Sequence, residues 1–187
     1  GVKAGEVDSE MRRQIKAMSY GLAYGLSAYG LAAQLDLSPP AAQDLMDRYF
    51  QRFGGIRDYL SSVVEEARKV GYTETVMGRR RYLPDLMHDN RQRREIAERM
   101  ALNAPIQGSA ADIIKQAMLN VERALQKENL KSRLLLQVHD ELILEVVAGE
   151  EEALTTLVRR EMGSAYPLRA PLDVSVGIGK SWNEAAH

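Results

Sequence analysis

Two apolar runs enclose a short polar step near residue 140, and this pattern constrains the fold more than any other feature of the chain. The run 134–136 precedes the step, the run 142–144 follows it, and between them stands Gln137-Val138-His139-Asp140-Glu141. The pattern predicts a β-hairpin over 133–147 with its turn at the polar residues. Its tip would carry an imidazole and two adjacent carboxylates, where a hard cation could bind. Considered alone, the same residues are more typical of an ordinary solvated turn, because charged turns are common.

Composition limits the class of protein. The 187 residues are 45% hydrophobic and 27% charged, which suits one sizeable globular unit or two small ones. No apolar segment approaches the roughly 18 residues of a membrane span, and no export signal opens the sequence, so we expect no membrane partner. The chain has no cysteine. This excludes disulfides and thiolate metal sites and agrees with a cytoplasmic protein.

Charge is balanced in total but uneven along the sequence. The formal net charge of −1 argues against a nucleic-acid-binding protein, but distribution matters more than the sum. Residues 79–99 contain four acids and seven arginines, which are Arg79, Arg80, Arg81, Arg91, Arg93, Arg94 and Arg99. This segment is compatible with phosphate contact on one face, although arginine-rich helices are often only solvated surface.

Helices are predicted over most of the first half. Asp8 or Ser9 is a suitable N-cap for a helix over about 8–20, and three glycines are predicted to break the chain after it (Gly21, Gly25 and Gly30). Ser38-Pro39 predicts the start of a second long helix, which would end at Gly54-Gly55. A further helix follows over about 56–70 and ends at Gly71.

Strands are predicted mostly after residue 90. A small hairpin is expected around Gly78, and a helical stretch over about 91–127 is expected to be interrupted near Pro105 and Gly108. The 133–147 hairpin, a helix over about 150–163 and a final apolar alternation over 172–178 complete the chain. An α+β fold with a helical part and a sheet part follows.

Two sets of polar residues recur at helical spacing. Arg12, Lys16 and Tyr20 are four residues apart, so they share one helix face that could hold a polyphosphate and stack on a base. Arg99, Asn103 and Gln107 have the same spacing and could hydrogen-bond to acceptors in a duplex groove. Any polar helix offers such a face by chance, so spacing alone does not decide function.

Four segments together resemble the signature motifs of family A DNA polymerases, the bacterial DNA polymerase I type. Residues 12–25 (RRQIKAMSYGLAYG) resemble the fingers-helix motif, and 78–85 (GRRRYLPD) the arginine-rich turn. Residues 99–112, with NAPIQG inside them, resemble the primer–template helix, and QVHDE at 137–141 resembles the second catalytic carboxylate motif. The resemblance extends from about residue 5 to the end, where Trp182-Asn183 and His187 resemble the family's C-terminus.

This resemblance implies a right-hand polymerase fold, with residues 1–90 as a helical fingers subdomain and 91–187 as part of an antiparallel-sheet palm. The implied reaction is attack of a primer 3′-hydroxyl on the α-phosphate of a deoxynucleoside triphosphate, assisted by two Mg²⁺ ions. The implied partners are this triphosphate and a primer–template DNA. Asp140 would be a catalytic metal ligand, Glu141 would support the catalytic site, and His139 would lie near the DNA primer end.

The fingers helix would bind the nucleotide. Arg12 and Lys16 would hold the triphosphate, and Lys16 could also give a proton to the leaving pyrophosphate. Tyr20 would stack on the incoming nucleotide, and Tyr24 would occupy the template-base site as the helix closes. Three residues would contact primer and template: Arg99, Asn103 and Gln107. For the arginines at 79–81, contact with phosphates and bracing of the fingers remain alternatives.

One family motif is missing from the sequence: the aspartate on the strand that opens the palm, which precedes the fingers helix in this family. No aspartate of the chain stands in a comparable context. We therefore expect a C-terminal fragment of a polymerase that is inactive alone and whose partner is the N-terminal part of the same polymerase. A split enzyme that another chain completes is the second, less favoured option. The alternative from another class is a non-catalytic nucleic-acid-binding module. A single-subunit RNA polymerase shares Arg12, Lys16, Tyr24 and Gly25, but the 78–85 and 103–112 segments favour the DNA enzyme.

Overall fold

The computed structural model describes residues 4–185; the predicted C-terminal His187 lies outside this range. The chain forms two compact units, one ending at Gly108 and the other beginning at Ser109. The predicted division at residue 90 lies at the start of the helix Arg91–Lys127, and the boundary between the two units lies within that helix. The assignment of fingers and palm stays a prediction. Within the described range, no helix combines the length and the apolar character that crossing a bilayer requires.

Four helices build most of the first unit: α1 (Ser9–Ala23), α2 (Ala28–Leu35), α3 (Pro39–Arg52) and α4 (Gly54–Val70), after a short 3₁₀ turn at Ala4–Glu6. The predicted caps are confirmed. The Asp8 carboxylate accepts a hydrogen bond from the Met11 N–H at 2.7 Å, and the Ser38 hydroxyl accepts one from the Ala41 N–H at 3.4 Å. Gly71 ends α4 with φ +82°.

The glycines at 21 and 30 do not break the chain as predicted, because both lie inside helices. A Cβ at Gly21 would lie 2.6 Å from one Leu26 methyl carbon, and a Cβ at Gly30 would lie 2.5 Å from the other. These glycines therefore make room for Leu26 beside α1 and α2. The core beneath them is apolar and includes Met18, Leu22, Leu31, Leu35 and Tyr49.

A small hairpin and the first part of a 37-residue helix complete the first unit. Strands β1 (Tyr72–Glu74) and β2 (Arg80–Tyr82) pair antiparallel, a 3₁₀ turn covers Pro84–Met87, and α5 covers Arg91–Lys127. The predicted interruption of α5 is wrong, since the helix is continuous through Pro105. Buried alanines hold α5 on the N-terminal side of the proline (Ala97 and Ala101), and this packing offsets the one hydrogen bond that proline removes.

The second unit places a hairpin over helices. Strands β3 (Arg133–Val138) and β4 (Glu141–Glu145) pair antiparallel, and α6 (Glu151–Gly163) and α7 (Trp182–Ala185) follow. The register shifts between Leu134 and Leu136, so Leu135 forms a bulge. The hairpin's apolar face covers a core of Val121, Ala124, Leu125, Leu154, Leu157 and Val158. The predicted preponderance of strands after residue 90 is wrong, because α5 and α6 contribute more residues than β3 and β4.

The alternating segment 172–178 is not assigned as a strand. Val174 and Val176 pack against the second unit's core, while Asp173, Ser175 and Gly177, which alternate with them, are exposed. The period-2 pattern therefore marks the packed side chains only as far as Val176, because Ile178 is exposed. It does not predict a strand partner, because strand pairing depends on residues distant in sequence.

Candidate functional site

An open cleft of about 760 Å³ lies in the first unit, between α1, the turn that follows it and α5. Its lining contains three of the predicted nucleotide-binding residues, Lys16, Tyr20 and Tyr24, together with Arg99. Two segments that are far apart in sequence thus contribute to one cavity. Its size is typical of small-molecule sites.

Helix α1 presents the predicted face to solvent. Lys16 is exposed, and Tyr20 is 60% exposed although its neighbour Met18 is buried in the core. The Lys16 ammonium has no hydrogen-bond or ion-pair partner among residues 4–185. A free cation beside an exposed aromatic ring can attract a phosphate and support a stacked base.

Arg12 is exposed on the same helix but does not line the cleft; Arg13 does. The Arg13 guanidinium donates to both oxygens of Glu10, at 2.7 and 2.6 Å. These hydrogen bonds hold the pKa of Glu10 below its ordinary value and raise the pKa of Arg13. The sequence contained the signal for this pair, a glutamate three residues before an arginine on a helix, but not its position at the cleft.

Gly25 brings the two walls of the cleft together. Its φ is +72°, and an added Cβ would lie 3.1 Å from Leu102 Cδ1 and 3.3 Å from Arg99 Cγ. Only glycine combines this backbone conformation with so close an approach to α5. The turn therefore places Tyr24, the preceding residue, beside Arg99.

The three residues of the predicted primer–template face of α5 differ in their exposure to solvent. Arg99 and Gln107 are exposed, whereas Asn103 is half-buried. The Asn103 Oδ1 atom is buried and has no hydrogen-bond partner in the described part of the chain. An orphaned acceptor is costly, so this amide is the member of the set with most to gain from a new donor.

Most arginines of the 79–99 segment are bound within the chain. Arg79 Nη2 donates to the Gly108 carbonyl at 3.0 Å, and Arg80 bonds to Glu74 at 2.6 Å and lies 4.5 Å from the centre of the Tyr72 ring. Arg91, Arg93 and Arg94 also have intramolecular partners, which are Glu95, Asp85 and the carbonyls of His88 and Asp89. The first two arginines of the 79–81 group thus have partners within the chain. Within residues 4–185, Arg81 and Arg99 have no such partner.

The second unit carries the predicted carboxylates at the β3–β4 turn. Val138 pairs with Glu141, so the turn predicted within 137–141 consists of His139 and Asp140, and Glu141 lies on β4. His139 has φ +53°, a left-handed conformation that histidine adopts more often than most residues. Its carbonyl accepts a hydrogen bond from Gln137 Nε2 at 2.8 Å. The Asp140 carboxylate is exposed and has no partner among the described residues.

The oxygen atoms at this tip are of the kind that a hard cation prefers, but they are too few to hold such an ion alone. Carboxylate oxygens are the ligands that Mg²⁺ prefers, and Mg²⁺ commonly takes one or two carboxylates together with substrate phosphates. No group of three or more acidic, histidine or cysteine side chains converges on one point in residues 4–185. Asp140 therefore fits such an ion as one ligand among several.

Comparison with known proteins gives one consistent result. The model of DNA polymerase family A matches residues 1–184. DNA polymerase I of Mycobacterium tuberculosis (strain ATCC 25618 / H37Rv) is 65% identical over 187 residues, which are 100% of this chain and 21% of that protein. DNA polymerase I of Geobacillus stearothermophilus is 48% identical over 180 residues, covering 96% of this chain and 20% of that protein.

A solved structure is similar over the whole chain. It is the POL domain of Pol1 from M. smegmatis in complex with DNA primer-template and dNTP, with a TM-score of 0.96 and 65% sequence identity. The match covers 100% of this chain and 33% of that one. The chain thus spans about a fifth of the length of the curated relatives it matches.

Proposed function

Since the chain belongs to DNA polymerase family A, we propose that it provides the nucleotide-binding helix and one catalytic carboxylate of a template-directed DNA polymerase. The observation that carries this proposal is the shared cleft of Lys16, Tyr20, Tyr24 and Arg99. The proposed substrates are a deoxynucleoside triphosphate and a primer–template DNA, as in the complex of the similar Pol1 domain. Work on DNA inside the cell would place the protein in the cytoplasm.

The triphosphate would bind along the exposed face of α1. Lys16, free of any partner in the described chain, would bind phosphate oxygens and give a proton to the leaving pyrophosphate. Arg12, one helical turn earlier, would extend this cationic face beyond the cleft lining. The exposed Tyr20 ring would stack on the incoming nucleotide.

Tyr24 and the turn behind it would control access of the template base. Tyr24 ends α1 and is half-buried beside Gly25. A glycine at positive φ allows the adjoining helix to change direction at low cost. Movement of α1 about such a hinge would let Tyr24 gate the template-base site as the helix closes on a matching nucleotide.

Primer and template would contact α5 and the tip of the hairpin. Arg99, with a free guanidinium, and Gln107 are exposed for this purpose, and the half-buried Asn103 lies between them on the same face of α5. His139 at the hairpin turn would lie near the primer end. These contacts are to phosphate, sugar and groove acceptors that every sequence shares, as a polymerase requires.

Asp140 would hold Mg²⁺, with Glu141 in support. When bound, two such ions hold the attacking and leaving oxygens and neutralise the charge that develops between them. The remaining ligands would come from the triphosphate and from the aspartate of the family's first carboxylate motif. Because this sequence lacks that aspartate, the isolated chain would bind nucleic acid without polymerising it and would need the N-terminal part of the polymerase as its partner.

Primer extension tests the nucleotide cleft. The assay uses a polymerase that contains this chain together with the first-carboxylate portion, and it compares Lys16→Ala with Lys69→Ala, an exposed lysine on α4 outside the cleft. Loss of phosphate contact and of the proton donor should lower kcat/KM for the triphosphate by at least about 100-fold in the first variant only. Equal values for the two variants would contradict the proposed cleft.

A further inference from the structure

A hydrogen bond joins the C-terminal helix α7 to the β3–β4 hairpin. Trp182 Nε1 donates to Glu141 Oε2 at 3.3 Å, across 41 residues of sequence. Trp182 is the only tryptophan of the chain. Its acceptor, Glu141, is the first residue of β4 and directly follows Asp140. A bond that fixes Glu141 therefore also fixes one end of the two-residue turn.

The hairpin itself does not hold the Glu141 side chain. Leu142 and Leu144 pack on the core of the second unit, so Glu141, whose side chain alternates with theirs along β4, lies on the opposite face. The residue across from it, Val138, has no polar side chain. In the part of the chain that the structure describes, Trp182 is the one hydrogen-bond partner of the Glu141 carboxylate.

Local hydrogen bonds hold the segment that carries Trp182. The Ser181 hydroxyl accepts a hydrogen bond from the Glu184 N–H at 3.3 Å, and Glu184 Oε2 accepts one from the Lys180 N–H at 2.9 Å, an arrangement close to a capping box. A Cβ at Gly179 would lie 2.6 Å from Glu184 Cβ and 2.8 Å from Ala185 N, so only glycine fits there. Short local bonds thus fix the backbone from which the indole extends.

We propose that Trp182 is a positioning residue for the catalytic hairpin: its indole N–H orients the Glu141 carboxylate, and through it the start of β4 beside Asp140. A neutral donor leaves the carboxylate charge intact, and Glu141 Oε1 stays without a protein partner among the described residues. The inference rests on the proposed function of the hairpin. The bond itself can be tested independently of activity.

Fluorescence of the single tryptophan tests the bond in the chain itself. Glu141→Ala removes the acceptor, and Glu184→Ala loosens the turn without changing the hairpin. Glu145→Ala is the matched control, because Glu145 lies on the same face of β4 and bonds to Arg133 instead. Trp182 is 52% exposed, so releasing it should raise its acrylamide quenching constant by up to about twofold in the first two variants. A wild-type constant in either folded variant, as judged by circular dichroism, would overturn the proposal.

Primer extension by the polymerase that contains this chain tests the positioning role. Trp182→Phe keeps an aromatic ring but removes the donor. We expect kcat to fall about tenfold with little change in KM for the triphosphate, because partners that orient a catalytic carboxylate contribute at this level. The same substitution in a Glu141→Ala background should have no further effect. A wild-type kcat for Trp182→Phe beside a reduced kcat for Glu141→Ala would overturn the positioning role and leave the proposed function intact. Unchanged activity in Asp140→Ala would instead overturn the proposed function.

Discussion

Gly25→Ala should damage both the stability of the first unit and the shape of the nucleotide cleft. At φ +72° an alanine is strained by about 1–2 kcal/mol relative to glycine. The new Cβ would also lie 3.1 Å from Leu102 Cδ1 and 3.3 Å from Arg99 Cγ, so both side chains must move by a few tenths of an ångström. Such overpacking adds roughly 1 kcal/mol. The expected total is about 2–3 kcal/mol, with Arg99 displaced from the cleft.

Gly78→Ala is the matched control for this substitution. Gly78 has φ +79°, nearly the same backbone conformation, but a Cβ there would meet nothing within 4 Å. It should therefore show the strain of about 1–2 kcal/mol without the steric part. Urea unfolding followed by circular dichroism measures both variants. If Gly25→Ala loses no more stability than Gly78→Ala, the close approach of the turn to α5 is not as described.

Two further predictions each concern a single charged side chain. The Glu150 carboxylate accepts hydrogen bonds from the Lys131 and Ser132 N–H groups at 2.9 and 2.8 Å, which lowers its pKa below the ordinary 4.5. The stability that this carboxylate contributes is thus complete above pH 4.5 and is lost as the pH falls through the folded-state pKa. Glu150→Gln should therefore unfold more easily at pH 7, and in urea titrations its stability should depend less on pH in the acid range. Parallel curves of stability against pH for the two proteins would contradict this. Arg99→Gln should weaken primer–template binding in fluorescence anisotropy and reduce its salt slope by about 1, whereas Arg48→Gln, on α3 and paired with Asp44, should change neither; equal slopes for the two variants would contradict a phosphate contact.

Local features of the sequence predicted the elements well. The Asp8 and Ser38 caps, the Gly71 helix end and the hairpin turn within 137–141 all depend on residues within four positions of each other. Short-range chemistry of this kind decides them almost alone. For the same reason, the spacing of Lys16 and Tyr20 is enough to place both side chains on one face of α1.

Features that depend on distant residues could not be predicted. The residues near Pro105 do not show that Ala97 and Ala101 pack in one core with Ala67, Leu83 and Leu86, which are distant in sequence. The hydrogen bond of Arg79 to the Gly108 carbonyl spans 29 residues, and that of Trp182 to Glu141 spans 41. Propensity and spacing do not contain such long-range packing, which overrides them where the two disagree.

Substitution of Asp140 tests the polymerase proposal most directly. Primer extension would be measured for a polymerase that contains this chain, with Asp140→Ala compared with Glu145→Ala, a carboxylate of the same hairpin that bonds to Arg133 at 2.6 Å. Loss of a metal-binding carboxylate should reduce extension at least about a thousandfold, while the control should retain nearly full activity. Extension by Asp140→Ala at the level of the control would show that this hairpin does not carry the catalytic carboxylate.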